Sequence, residues 1–421
     1  MISHSKILTP YLKGKRSLNL YRNGNRFWKT VSQSFCSTTE TQNDSLHFDI
    51  VISGGGMVGF AAGCALGQSR RLDDRKILVL EKQNERAWSL PEEYSNRVCA
   101  LNPHTKKLFT QLGAWNTVTD LRAQPVKKMQ VWESCTEALI TFEEEEETGE
   151  PIAHIVENDV ILHALKNKIP ENVEVWYGSQ VSGYELPSSN DDKPVVNLSD
   201  GKRIVTDLLA SIIGADGLHS GVRKAMKCQN LSWEYDQMGI VATLHLSEWR
   251  DEGTQQVIKN LHEQWQNLLR TIAPSSGRSL LGPGSRQLPP SICGIVPKSR
   301  ASFPLGLMHA AHYVGPRVVL IGDAAHRVHP LAGQGVNLGF GDVACLLETL
   351  EKAVLLGTDI GNLEVLQKYE TLRQRHNVPS MVAIDALYRL YSTNFSPIVL
   401  LRSLGLSAVD AFAPVKVKME N

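Results

Sequence analysis

The chain has 421 residues, 42% of them hydrophobic and 21% charged, a length that suits roughly two to three domains. Lys plus Arg and Asp plus Glu both count 44, so the formal net charge is zero, without the basic excess of a nucleic-acid footprint. No apolar run approaches the roughly 18 residues of a membrane-spanning helix. The seven cysteines are scattered with no CxxC pair, which argues against a disulfide framework or zinc site and suits a reducing compartment.

Residues 1–39 hold Lys6, Lys13, Lys15, Arg16, Arg22, Arg26 and Lys29, six serines and no acid. That composition predicts a mitochondrial transit peptide over residues 1–45, with a disordered basic arm as the alternative.

The segment "HFDIVISGGGMVGFAAGCALG" follows. Phe48–Ser53 is an apolar, β-branched run suited to a buried parallel strand. Gly54-x-Gly56-x-x-Gly59 then opens a helix, and "ILVLE" is a second buried strand ending at Glu81. Gly54 permits the tight turn, Gly56 removes a side chain from a pyrophosphate's path, and Gly59 lets helix and sheet pack closely. The helix N-terminus offers amide N–H groups to phosphates, and Glu81 is placed to accept from ribose hydroxyls. This register predicts a dinucleotide and leaves FAD or NAD open.

A second such unit lies at "PRVVLIGDAAHRVHPLAGQGVNLGFGD". Val318–Ile321 reads as a buried strand ending in Gly322-Asp323, where open α/β sheets bind ligands. Gly322 permits close approach, and Asp323 is placed to hold hydroxyls of a sugar-like chain. Residues 332–337 then open a helix whose amide groups would stabilise the anionic reduced ring of a flavin. NAD has no such need, so the pair of units points to flavin. His326 and His329 stand three apart, but no acid or cysteine follows at ligand spacing, so no metal site is expected.

"GGGMVG", "IGADGLHSGVR" and "GDAAHRVHPLAGQGVNLGFGD" together resemble the aromatic-ring hydroxylases of the FAD-dependent monooxygenase superfamily. "SNRVCALNPHTKKLFTQLGAW", "SRASFPLGLMHA" and "YETLRQRHN" are similar to its mitochondrial ubiquinone-biosynthesis branch. The resemblance implies that Gly54, Gly56, Gly59 and Glu81 hold the ADP half of FAD. It sets Arg97 near the pyrophosphate and Asp216 in a second cofactor-side turn. Gly322 and Asp323 would meet the ribitol, with Pro330, Gly333, Gly335, Val336 and Asn337 along the isoalloxazine. It implies O₂ and a polyprenylated phenol as substrates, hydroxylated at C5. Electrons would come from a ferredoxin and its reductase, otherwise NAD(P)H. Other ubiquinone-biosynthesis proteins would be partners, on the matrix face of the inner membrane. No side chain is assigned as a catalytic acid or base, because the cofactor carries the chemistry.

The expected fold is α/β: a doubly wound FAD-binding domain, an interleaved smaller β-sheet substrate domain and a helical C-terminus. Boundaries are placed at 46–130 for the first FAD-binding part, 131–215 for mixed strands and 216–305 for the substrate domain. The second FAD-binding part takes 306–375 and the helical region 376–421. "VVNLSDGKRIV" predicts a hairpin around Asp200-Gly201, and Glu143–Glu147 a solvated loop or hairpin tip. After Leu246 strands expected from the family are missing; instead come a helical run and a Gly/Ser/Pro-rich loop. A hydroxylase must exclude water during oxygen transfer, so the shortened cover predicts FAD binding with poor coupling and peroxide release. Alternatives are a structural, FAD-stabilised subunit, a flavin reductase or desaturase, or an NAD dehydrogenase. At the C-terminus Ile398, Leu401, Val409 and Phe412 fall near one helical face. That face would pack on the core or a second subunit, or dock on a membrane surface.

Overall fold

The computed structural model describes residues 46–132, 138–144, 149–189, 192–246, 292–393 and 395–411. The predicted leader and the helical run with its loop, within 247–291, lie outside the described residues. Strands in chain order are β1 (Leu46–Ser53), β2 (Ile77–Leu80), β3 (Val98–Leu101), β4 (Ala123–Val126), β5 (Lys128–Trp132) and β6 (Leu139–Glu143). Next come β7 (Ala153–Glu157), β8 (Val173–Trp176), β9 (Val181–Glu185), β10 (Val195–Leu198), β11 (Arg203–Gly214) and β12 (Asn230–Val241). The last six are β13 (Leu244–Leu246), β14 (Ile292–Ile295), β15 (Ala301–Ala310), β16 (Val314–Gly315), β17 (Val318–Leu320) and β18 (His326–Arg327). Helices are α1 (Met57–Gly67), α2 (Pro103–Gln111), α3 (Trp115–Leu121), α4 (Asn158–Lys166) and α5 (Gly221–Ala225). The C-terminal three are α6 (Gly335–Leu355), α7 (Leu363–Tyr391) and α8 (Ser396–Ala411).

The central sheet runs β16-β17-β11-β1-β2-β8. Its β17–β11, β11–β1, β1–β2 and β2–β8 pairs are parallel. Covered on both faces, β1 and β2 bury consecutive residues, Ile50–Ser53 and Ile77–Leu80, as parallel strands require. Helix α1 is buried from Gly59 through Gly67, and its small residues permit that. A Cβ on Gly67 would lie 2.4 Å from Val173 Cγ2. The expected hairpin is present: β10 pairs antiparallel with the start of β11, Val196 opposite Ile204.

A second layer is antiparallel, in the order β12-β15-β18, with Trp233 opposite Leu307 and Met308 opposite Arg327. Tyr235, Leu305 and Leu307 from this sheet pack with Val328, Leu338, Met381 and Ile384. This smaller core fixes the sheet to the segment after β18 and to α7. Beside it β13 pairs with β14, the two strands that flank residues 247–291.

Two local expectations change. Glu143 is no hairpin tip: it ends β6 opposite Lys128, to which it is ion-paired at 2.8 Å. Residues 145–148 lie outside the described residues. In α8 the predicted face is divided: Leu401 is 68% exposed while Ile398 and Val409 are half-buried, and Arg402 and Ser403 beside them are buried. Arg402 donates to the carbonyls of Leu390 and Thr393 at 2.8 Å each, so the polar side seals the end of α7. Phe412 lies outside the described residues.

Candidate functional site

Three chain turns meet where the parallel strands β1, β11 and β17 end. At the first, Gly54 has φ +110°, and an added Cβ would lie 2.4 Å from the Ala215 carbonyl oxygen. Only glycine fits there, in conformation and in space. A Cβ on Gly59 would lie 1.9 Å from the Gly54 carbonyl oxygen, which fixes how closely α1 enters the sheet. Gly56 differs: it is exposed, and an added Cβ would meet nothing within 4 Å. It is also the N-cap of α1, with no side chain capping the helix, so the first amide N–H groups face open space. Glu81 follows β2, its Oε2 accepting from Gly55 N–H at 2.9 Å and its Oε1 from Gln83 N–H at 2.7 Å. Each oxygen keeps a second lone pair for a ligand.

At the second turn Asp216 Oδ2 accepts from the amides of Gly221 (2.7 Å) and Val222 (3.3 Å). Its Oδ1 is buried with no hydrogen-bond partner. Burial and then the Asp216 charge push the Tyr184 phenol well above its ordinary value. Its hydroxyl lies 2.5 Å from Ser53 Oγ at the end of β1. Arg223 joins this turn to the third by donating to the Leu218 and Ala324 carbonyls.

The third turn begins at Gly322, φ +59°. Asp323 presents an exposed side chain, yet the protein around it raises its carboxyl pKa by burial, against the charges of His326 and Arg327. Both hold for a group on the wall of a concavity: solvent reaches it while protein displaces most of its hydration. Beneath it Asp342 is fully buried and accepts from four donors. They are Gly322 N–H (2.9 Å), His326 Nε2 (2.7 Å), Arg373 Nε (2.7 Å) and Asn377 Nδ2 (3.2 Å). Burial alone would raise its pKa; His326, Arg373 and the Gly322 amide outweigh that and hold it below the ordinary value. Tyr369 adds a hydroxyl donated to the Leu320 carbonyl at 3.0 Å.

The chain then bends through a 3₁₀ turn at Pro330–Ala332, capped by His329, whose Nδ1 accepts from Leu331 N–H at 3.1 Å. Gly333 ends the turn at φ +61°, where an added Cβ would lie 3.7 Å from Ala100 Cβ of β3. Pro330 and Gly333 are exposed, Gly335 and Val336 half-buried, and α6 starts with no side-chain cap. The Asn337 side chain, expected along the flavin, is committed elsewhere. Its Oδ1 accepts from Asn102 N–H (3.2 Å) and Thr105 Oγ1 (2.8 Å), and its Nδ2 donates to Ala100 O (2.8 Å). It ties α2 and β3 to the start of α6. Arg97 is exposed just before β3. Two residues on, burial and then the Asp323 charge push the Cys99 thiol up to about 12.

The polar framework of Asp342, His326, Arg373 and Asn377 was absent from the sequence expectations, as was the cap at His329. One signal was available: Tyr369, Arg373 and Asn377 recur every four residues, so one helix face carries all three.

An extended dinucleotide with a flat ring fits this arrangement. Open space at Gly56 and the uncapped start of α1 suit phosphates. The unpartnered Asp216 Oδ1 and the exposed Asp323 carboxylate suit hydroxyl or N–H donors, and the start of α6 suits a ring that gains negative charge.

Residues 294–382 match a family model described as an FAD binding domain. The mitochondrial ubiquinone biosynthesis monooxygenase COQ6 of Xenopus tropicalis is 43% identical over 429 aligned positions, covering 88% of this chain and 91% of the relative. The human protein of the same name gives the same figures, and that of Drosophila melanogaster is 40% identical over 90% of each chain. Since 429 positions take in only 88% of 421 residues, several dozen have no counterpart here. Among solved structures, p-nitrophenol 4-monooxygenase PnpA of Pseudomonas putida shares the fold. Its TM-score is 0.64 at 15% identity, covering 89% of this chain and 97% of that one. The cofactor is FAD, and the chain belongs to the COQ6 family of ubiquinone-biosynthesis monooxygenases.

Proposed function

We propose that this protein hydroxylates the aromatic ring, at C5, of a polyprenylated phenol or hydroxybenzoate intermediate of ubiquinone biosynthesis, in mitochondria. The observation that carries this reading is the convergence of three ligand-facing turns in a chain 43% identical to COQ6 over 88% of its length. When bound, reduced FAD supplies the electrons that let one oxygen atom of O₂ pass to the ring and the other leave as water. The protein binds, orients and excludes water.

Gly54, Gly56 and Gly59 shape the pyrophosphate seat, with Arg97 beside it and Glu81 on the ribose. Asp216 holds the cofactor at the second turn, and Gly322 and Asp323 take the ribitol. Pro330, Gly333, Gly335 and Val336 line the ring, with Asn337 present through its backbone. The β12–β15 sheet covers the ring. Electrons come from a ferredoxin and its reductase, with NAD(P)H as the other donor; a single GxGxxG in the sequence supports the absence of a resident nicotinamide. Other ubiquinone-biosynthesis proteins surround it on the matrix face of the inner membrane. No helix among the described residues is long and apolar enough to cross a membrane. The outward Leu400, Leu401 and Leu404 of α8, each at least 60% exposed, support peripheral attachment.

A second reading, an FAD-binding but poorly active or structural member, is favoured by the missing aligned positions. Exposed Leu231, Met238, Ile240 and Phe303 on the covering sheet also favour it. Protein starting near residue 45 should copurify with yellow FAD. Reduced by ferredoxin or NAD(P)H with a prenylated phenol, it should consume O₂ and give some hydroxylated product together with peroxide. Peroxide without product supports the second reading, and folded protein that binds no FAD overturns both.

A further inference from the structure

The loop from Pro91 to Arg97 starts exposed, yet every residue of it is held. Arg122, the residue that follows α3, donates through one terminal nitrogen to the Glu93 carbonyl at 3.2 Å. Through the other it donates to the carbonyls of Glu92, at 3.0 Å, and Pro91. Its guanidinium carbon also lies 4.5 Å from the centre of the Tyr94 ring, a cation–π contact. Glu157, buried at the end of β7, pairs with Arg122 at 3.5 Å and accepts from Ser95 N–H at 2.9 Å with the same oxygen. Asn96 Nδ2 donates to the Ser299 carbonyl just ahead of β15. Arg97 N–H donates to Ser95 Oγ at 3.1 Å, and the Arg97 carbonyl accepts from Asn158 N–H at 2.9 Å. None of these ties uses the Arg97 side chain, which stays exposed.

A need to satisfy buried carbonyls does not explain this arrangement. Pro91, Glu92 and Glu93 are exposed, and water would serve their carbonyls as well. Holding Arg122 against Glu157 also costs both long side chains rotamer freedom. What the arrangement adds is order. One planar fork fixes three successive carbonyls, which a point-like ammonium on a flexible stem holds less well. The ordered segment leads straight into β3, whose Ala100 lies beside Gly333 and whose Cys99 feels the Asp323 charge. Arg97 therefore stands at the edge of the proposed FAD site on a backbone fixed from both sides.

We propose that Arg122, with Glu157 as its counter-ion, is the positioning residue for Arg97. It orders residues 91–97 so that the Arg97 guanidinium is preset for the anionic diphosphate of the dinucleotide. The inference rests on the placement of Arg97 beside the pyrophosphate proposed above. A loop ordered in advance removes its ordering entropy from the binding step. Arg122 need not touch the cofactor, since its effect on FAD passes through Arg97.

The test is a double-mutant cycle of Arg122→Lys and Arg97→Ala, read as FAD affinity by fluorescence titration of the full chain stripped of FAD. Arg122→Lys keeps the charge opposite Glu157 and loses the fork. Arg97→Ala should weaken FAD about tenfold or more, the loss of one charge-assisted hydrogen bond. Arg122→Lys should weaken it about three- to fivefold in the parent and not at all in the Arg97→Ala background, because the two act through one contact. It should also flatten the salt dependence of FAD binding at unchanged net charge, which a loss of stability alone would not do. Effects that simply multiply, or a Lys variant that binds FAD like the parent, overturn the assignment. Should Arg122→Lys fail to fold, Ser95→Ala, which removes only the hydroxyl holding the Arg97 amide, takes its place in the cycle and decides by the same criteria. If Arg97→Ala keeps the parent affinity, the placement of Arg97 falls, and this assignment with it.

Discussion

The two turns that bracket the proposed FAD site are held in shape by different means. At Gly54–Gly59 the constraint is local: missing side chains let the backbone of β1, α1 and β11 approach to contact. At Gly322–Gly333 it is remote, because the amide of Gly322 is anchored to Asp342 and Asp342 to Arg373 and Asn377 on α7. The first turn is therefore rigid by exclusion and the second by attraction. The first should fail all at once when crowded, and the second by degrees as each partner is removed.

The largest effect is expected at Gly59. Replacement by Val puts a Cβ at 1.9 Å from the Gly54 carbonyl oxygen, so α1 must leave the sheet, and soluble FAD-bound protein should not be recovered. Gly56→Val sharpens the contrast. Its Cβ enters open space, so the apo fold should survive with an unchanged circular dichroism spectrum while FAD binding is lost. A Gly56 variant that unfolds, or that keeps FAD, would remove the distinction between a packing glycine and a ligand-facing one.

Asp342→Ala should cost about 3–5 kcal/mol, because it strands the Arg373 guanidinium away from water. For a chain of this size that is roughly 3–6 °C in melting temperature. Asp323→Ala should leave melting of the apo protein unchanged and weaken FAD by about 1–3 kcal/mol, measured by fluorescence titration. Equal effects at Asp342 and Asp323 would mean that framework and ligand contact are not separate.

The smallest effect is with pH. Burial lowers the pKa of His104, His154, His309 and His329. A histidine with a depressed folded-state value stabilises the protein fully above its unfolded pKa of about 6.5. That contribution is lost as pH falls from there through the folded value. Melting temperature should therefore drop between pH 7.5 and 5.5, and His329→Asn should flatten the slope slightly. A melting temperature independent of pH over that range would show that these rings are protonated equally in both states.

The same contrast explains what could be read from the sequence. The glycine spacing, the buried apolar runs of β1 and β2 and the Asp200-Gly201 hairpin are local signals, and each element lies where its residues predict. Gly322 and Asp323 were legible for the same reason, as the end of an apolar strand. The Asp342–Arg373 link joins residues that only the folded chain brings together. The tie made by the Asn337 side chain was not legible, because one residue type serves equally at a ligand or as a link between elements. Only its neighbours Asn102 and Thr105 decide between them. In α8 apolar periodicity identified a helix correctly but could not say which of its residues would be covered. That depended on the carbonyls at the end of α7, which capture Arg402.

The reach from Gly322 through Asp342 to Arg373 also sets an order in time. A chain emerging from a ribosome or crossing a translocation pore N-terminus first can form the glycine turn once β1, α1, β2 and β11 are out. The turn at Gly322 must wait until residue 373 has followed, late in the sequence. Completion of the proposed site is thereby placed after synthesis is nearly finished, and a product broken off within α7 ahead of Arg373 would carry the glycine fingerprint yet have no anchored turn at Gly322.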